Sequence, residues 1–278
     1  MNNTFSFNRF KNLLLKDGKM YIRSFGTGII VFCCLNAIFW IFNLLFGSET
    51  HSASRFGFLC MWTVLAMMFV PAKVYGKANL SREGVGFAML PASSLEKFIS
   101  MFLYCAILTP VVVFFGGYLV DTLLSLFPFG GFEKPIHLYT LNELVRVASD
   151  SKGVVQAGEM EVAFTDVFPI SVIRVFIYMG IIQWAAIFML GNMLFKKHKA
   201  GKTFACYLGI SYVLSTLFAI VLTSSRPLQL WFESLEDFPA EEMIRIAHNG
   251  MFLGMVVCII ITGVLLFFTY RKIKTQKY

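Results

Sequence analysis

Charge is what this sequence has least of. Only 14% of its residues are charged and 57% are hydrophobic, whereas a soluble domain keeps about a quarter of its residues charged. Too little polar surface remains to coat a water-soluble globule. The deficit is deepest in six apolar runs, Phe25–Phe46, Phe56–Tyr75, Met101–Leu126, Ile170–Phe195, Thr203–Thr223 and Gly250–Tyr270. Within them only Lys73, Asp121 and Arg174 are charged, all near run ends. Ion-coupled carriers place ionisable groups at mid-depth facing a cavity, so this shortage argues against a secondary carrier.

Catalytic sets are missing as well. The four histidines stand in separate loops, and neither H-E-x-x-H nor G-x-S-x-G occurs. An intramembrane hydrolase or acyltransferase would lack its acid, base or metal ligands; the sequence predicts no enzyme, no cofactor and no metal. Gly201-Lys202-Thr203 imitates the end of a P-loop, but the first glycine of that motif would fall at Lys196. All six cysteines lie inside apolar runs, which leaves no disulfide framework for an outer domain and reads as small buried hydrophobes.

What is present is membrane-spanning length. Each run is near the roughly 20 residues that cross a hydrocarbon core. The first is not followed by a small-x-small cleavage site, so it reads as an uncleaved span and not a signal peptide. Lys and Arg set the orientation. With the N-terminus inside, the inner segments hold 17 of the 24 basic residues and only 3 of the 16 acidic ones. The net charge of +8 is therefore membrane topology, shared among every inner loop, and not a nucleic-acid patch. The predicted fold is an all-α integral membrane protein of six transmembrane helices with both termini cytoplasmic.

Residues 1–24 precede the transmembrane domain of 25–278. They are basic, and Phe7, Phe10 and Leu14 fall on one helical face, which predicts an amphipathic helix in the cytoplasmic interface, ended or bent at Gly18. The outer loop 127–169 is long and acidic. Thr140-Leu141-Asn142-Glu143 has capping-box spacing, and Val154–Ala157 and Glu161–Phe164 are candidate strands. Pro239–His248 is a further acidic helix candidate, and Pro110 should kink the third span. Neutral polar groups in the spans, Asn36, Asn43, Gln183 and Asn192, suit either interhelical hydrogen bonds or the lining of a substrate path.

The connection between spans two and three is the most organised loop. Gly84-Val85-Gly86 opens it flexibly, Pro91 stops any continuing helix, and Ser93-Ser94-Leu95-Glu96 has capping-box spacing. A loop thus ends in a firmly started helix that runs into span three, a rigid lever able to carry a push into the bilayer.

Six spans, an interfacial helix before the first and a capped helix between the second and third resemble the permease subunits of bacterial ABC-2-type transporters. The stretch Met89-Leu90-Pro91-Ala92-Ser93-Ser94-Leu95-Glu96-Lys97-Phe98 is similar to a segment of such permeases. The resemblance implies a plasma-membrane (inner-membrane) exporter subunit, paired as a homo- or heterodimer and driven by a separate ATP-binding subunit. It also implies a coupling helix that brings Leu90, Pro91, Ser93, Leu95, Glu96 and Phe98 near that ATPase. The outer loop 127–169 is longer than the minimal layout of those permeases. The alternative is a non-transport scaffold or sensor whose acidic outer loops bind a partner. Deleting Lys134–Glu161 separates the two, because only the sensor would lose all function.

Overall fold

The computed structural model describes residues 5–35, 37–47, 52–80, 84–127, 132, 136, 154–157, 160–163, 170–226 and 240–275. The described helices are α1 (Phe7–Cys34), α2 (Ala37–Phe46), α3 (Ser52–Val74), α4 (Gly84–Ala88), α5 (Ser94–Phe102), α6 (Thr109–Ser125), α7 (Ile170–Leu194), α8 (Lys199–Ser224) and α9 (Ala240–Thr275). A 3₁₀ turn, Gly76–Asn79, follows α3, and a π-helical stretch, Leu103–Leu108, joins α5 to α6. Six helical segments are long and apolar enough to cross a membrane, and the chain is a multi-pass membrane protein.

The chain divides into two compact units. One comprises Met1–Thr140, Ile181–Thr203 and Ile261–Tyr278. Its core gathers Tyr21 and Phe25 of α1, Ala66, Val70 and Val74 of α3, Met101, Cys105 and Val113 of the third span, Met189 and Met193 of α7, and Ile273 of α9. Small residues let its helices approach. A Cβ on Gly116 would overlap the Cys33 thiol of α1, and one on Gly117 would overlap Leu59 of α3, so the adjacent glycines seat α6 against two helices at once.

The other unit comprises Leu141–Gly180 and Phe204–Ile260. Strand β1 (Val154–Ala157) pairs antiparallel with β2 (Met160–Ala163), Val154 opposite Ala163 and Ala157 opposite Met160. The second strand starts one residue earlier than the pattern predicts. In this unit Gly254 of α9 lies against the ring of Phe176, 3.5 Å from the position of an added Cβ.

Several local expectations change. Gly18 neither ends nor bends α1, which has 28 residues and passes through positions 18 and 24 unbroken. Packing overrides the low helix propensity of glycine, because a Cβ there would stand 2.6 Å from the Tyr104 hydroxyl. At about 1.5 Å per residue α1 is about 42 Å long, beyond the roughly 30 Å hydrocarbon core. Its buried stripe is Leu13, Asp17, Tyr21 and Phe25, while Phe7 is exposed. In the first span α1 ends at Cys34 and α2 begins at Ala37, with residue 36 outside the described residues. Gly84-Val85-Gly86 is no flexible opening but the start of α4. The acidic segment before the last span belongs to the 36-residue α9. The capping box at Thr140 lies outside the described residues.

Candidate functional site

The third span meets α1 along a ladder of polar contacts that begins at the capped helix. Ser93 caps α5: its Oγ accepts from the Glu96 N–H at 3.2 Å, and its own N–H donates to Glu96 Oε2 at 2.7 Å. This is the reciprocal pair that the spacing predicted. Glu96 does more than cap its own helix. Its Oε1 accepts from the Ser6 N–H at 2.8 Å and lies 3.4 Å from Arg9 Nη2. Ser6 is the residue preceding α1. One carboxylate therefore sits at the N-termini of two helices, α1 and α5, where both macrodipoles favour negative charge. Its side chain is fully buried.

One turn further along, Ser100 donates to Asp17 Oδ2 at 2.6 Å, and the Tyr75 hydroxyl donates to the same oxygen at 3.1 Å. Asp17 is buried. It ties α1 to α5 and to the residue following α3. Tyr104 donates to the Leu14 carbonyl at 2.8 Å, and the Tyr21 and Thr109 hydroxyls are 3.1 Å apart. The rungs on the third span are Glu96, Ser100, Tyr104 and Thr109, a spacing of four, four and five.

The extra residue is absorbed by the π-helical stretch. It sits just before Pro110, whose missing N–H cannot continue an ordinary helix. At the position of the predicted kink the helix takes a π-turn. Both the Thr109 N–H and, at 2.7 Å, its hydroxyl donate to the Tyr104 carbonyl. Thr109, Val113, Gly117 and Asp121 then continue the inward stripe at i, i+4.

Around Pro91 the chain folds α4 back on α5. Lys97, itself buried, donates to the Ala88 carbonyl at 3.1 Å and stands over the Phe87 ring, satisfying the C-terminal end of α4. The residues assigned to partner contact separate into three groups. Pro91 and Leu95 are exposed, next to Val85 and Met89, the last 79% exposed. Leu90 is half-buried. Ser93 and Glu96 are buried, and Phe98 is half-buried against Tyr270, ring centroids 5.9 Å apart. Glu96 is thus an internal joint. An outward contact is open only to the apolar edge of Val85, Met89, Pro91 and Leu95.

The described polar span residues take separate places. Asn192 is buried and donates to the Tyr75 carbonyl at 3.3 Å; it closes α7 onto the end of α3. Asn43 is buried in α2 and Gln183 is half-buried in α7. Asn36 lies outside the described residues. The hydroxyl of Thr203, in the P-loop look-alike, donates to the Lys199 carbonyl at 2.7 Å and is buried against Gly191. A Cβ on Gly191 would overlap that hydroxyl and stand 2.7 Å from Thr203 Cβ. Gly191→Leu is therefore expected to cost about 1–3 kcal/mol or more by overpacking, read as a lower melting temperature in detergent. Thr203→Ala in the same chain should recover part of the loss.

At the far end of the same unit lies a pairing that the sequence does not signal. Arg55 of α3 and Asp121 of α6 are 2.8 Å apart and both fully buried. The guanidinium lies 3.9 Å from the Phe132 ring centroid, and the Ile136 N–H donates to Asp121 Oδ2 at 3.2 Å. Phe132 and Ile136, at the start of the long segment 127–169, are pinned to this ion pair.

Sequence reasoning found Ser93 and Glu96 and missed Ser6 and Arg9 as partners of Glu96, and Asp17, Ser100 and Tyr104 as the further rungs. The available signal was a row of polar residues every fourth position along an otherwise apolar segment. No protein-family model, curated protein or solved structure matches this chain.

Proposed function

We propose that the chain is the membrane-spanning permease subunit of an ATP-driven exporter of the ABC-2 type. It has no catalysis of its own and couples to a separate ATPase subunit through the segment between spans two and three. The observation that supports this reading best is the wiring of α5. Exposed apolar residues before and at its start, Val85 of α4, Met89, Pro91 and Leu95, precede a buried joint, Glu96, that binds the start of α1. α5 passes through a π-turn into α6. A displacement of that edge is carried by hydrogen bonds into α1 and by the continuous helix into the third span. The push tilts spans two and three, and Tyr75, the residue after α3, donates to Asp17 of α1, so the first span shares the same joint.

The test is recovery of an ATPase with the tagged chain from a mild detergent. Met89→Asp with Leu95→Asp should lower the ATPase recovered by about thirtyfold, the loss expected when an apolar anchor of about 2 kcal/mol is removed. Gly209→Ala, at an exposed glycine of α8 with open space around it, should leave recovery unchanged. Wild-type chain that brings down no ATP-binding protein sinks the proposal and favours the scaffold or sensor.

A further inference from the structure

The apolar last turns of α7 and the basic end of α9 form a groove that the proposed coupling does not use. Its volume is about 270 Å3, and its walls are Leu190, Leu194, Phe268, Arg271, Lys272 and Thr275. Leu190 and Leu194 are one turn apart on α7. On α9, Phe268 is followed at i+3 and i+4 by Arg271 and Lys272, which therefore share its face. Along the helix axis the groove thus passes from an apolar half to a cationic half. Leu194 and Phe268 are about half exposed, 54% and 48%, and both cations are exposed. Among the described residues no carboxylate lines the groove. Asp17 and Glu96, acids of the same unit, are buried in the ladder on α1.

We propose that this groove binds an anionic phospholipid. The acyl chain lies along Leu190, Leu194 and Phe268, and the headgroup phosphate lies between Arg271 and Lys272. An acyl chain suits the apolar wall at hydrocarbon depth. The planar guanidinium pairs with phosphate oxygens through two parallel N–H groups, and the ammonium adds a point charge. Basic pockets between transmembrane helices favour anionic headgroups in this way. A soluble anion would leave the apolar half unfilled, and a zwitterionic lipid would place its own cation beside the two of the protein. The inference stands on the groove alone and does not depend on the ATPase reading.

The test uses the purified full chain in mild detergent, titrated with phosphatidylglycerol or phosphatidylcholine and read by native mass spectrometry as the fraction carrying lipid. Wild type should retain phosphatidylglycerol in preference to phosphatidylcholine. Arg271→Ala with Lys272→Ala should weaken phosphatidylglycerol binding by about thirtyfold, near fivefold for each cation removed. Leu194→Asp should weaken it as well. Lys274→Ala, a cation of the same helix end outside the groove, should change it less than twofold. Circular dichroism of each variant shows that it is folded. The proposal is overturned by equal retention of the two lipids, or by a double variant that binds as wild type does. It is equally overturned if Lys274→Ala loses as much as the double variant, if inorganic phosphate competes as well as the lipid, or if a second copy of the chain fills the groove without lipid.

Discussion

Asp121→Ala should destabilise this protein more than any other single change at a described polar residue, by about 3–5 kcal/mol. The substitution removes the carboxylate that lies 2.8 Å from Arg55 and leaves that guanidinium fully buried. It also removes the acceptor of the Ile136 N–H, so the beginning of the segment 127–169 loses one of its fixings. The measurement is an unfolding titration with a denaturing detergent in mixed micelles. The cost should come from keeping the guanidinium buried without this carboxylate and not from the loss of attraction as such. Taking two charges out of water offsets most of what their pairing gains. Arg55→Met combined with Asp121→Leu should therefore lie within about 1–2 kcal/mol of wild type, while each single change is severe. Equal midpoints for Asp121→Ala and wild type would show that the pair is solvated and the geometry irrelevant.

The second large effect is expected at Glu96. In Glu96→Ala the N–H groups of Ser6 and Ser93 lose their acceptor together, and Arg9 loses its carboxylate partner. A buried donor left without a partner costs about 1–3 kcal/mol. The first turn of α1 should then come away from α5 while the rest of α1 stays fixed through Asp17, Tyr21 and Tyr104. Amide exchange should report this, with the Ser6 and Ser93 amides exchanging about tenfold to a hundredfold faster, the equivalent of about 1.4–2.8 kcal/mol. Trypsin should cut after Arg9 and Lys11 earlier than in wild type. Glu96→Gln keeps one carbonyl acceptor and should fall between the two. Unchanged exchange at Ser6 in the alanine variant would mean that the N-terminal helix is not held through this residue. Any coupling role for the joint would go with it.

These two sites differ in how far they could be anticipated. Ser93 and Glu96 are three residues apart, and a capping box is a local contract between a side chain and the nearest orphan amides. The spacing therefore predicted both of its hydrogen bonds. The other oxygen of Glu96 reaches a residue 90 positions away, and no local rule constrains such a contact. Arg55 and Asp121 are similar: each sits near the end of an apolar run, and only the packing of α3 on α6 brings them together. Gly18 shows the opposite error. Propensity argues for a break, but the helix continues because the residue packs under Tyr104.

Hydropathy and charge by themselves determined that the chain is a multi-pass helical protein, roughly where its spans lie and where its cations gather. Those properties follow from the cost of burying polar groups in hydrocarbon, which acts on each segment separately. Which face of each helix turns inward was decided by tertiary structure alone. Helices that are apolar all round carry almost no moment to read, so small and polar residues set the choice by what they meet. Gly117 against Leu59, Asp17 beneath Ser100 and Tyr75, and Thr109 beside Tyr21 fix the faces, with one π-turn keeping them in line.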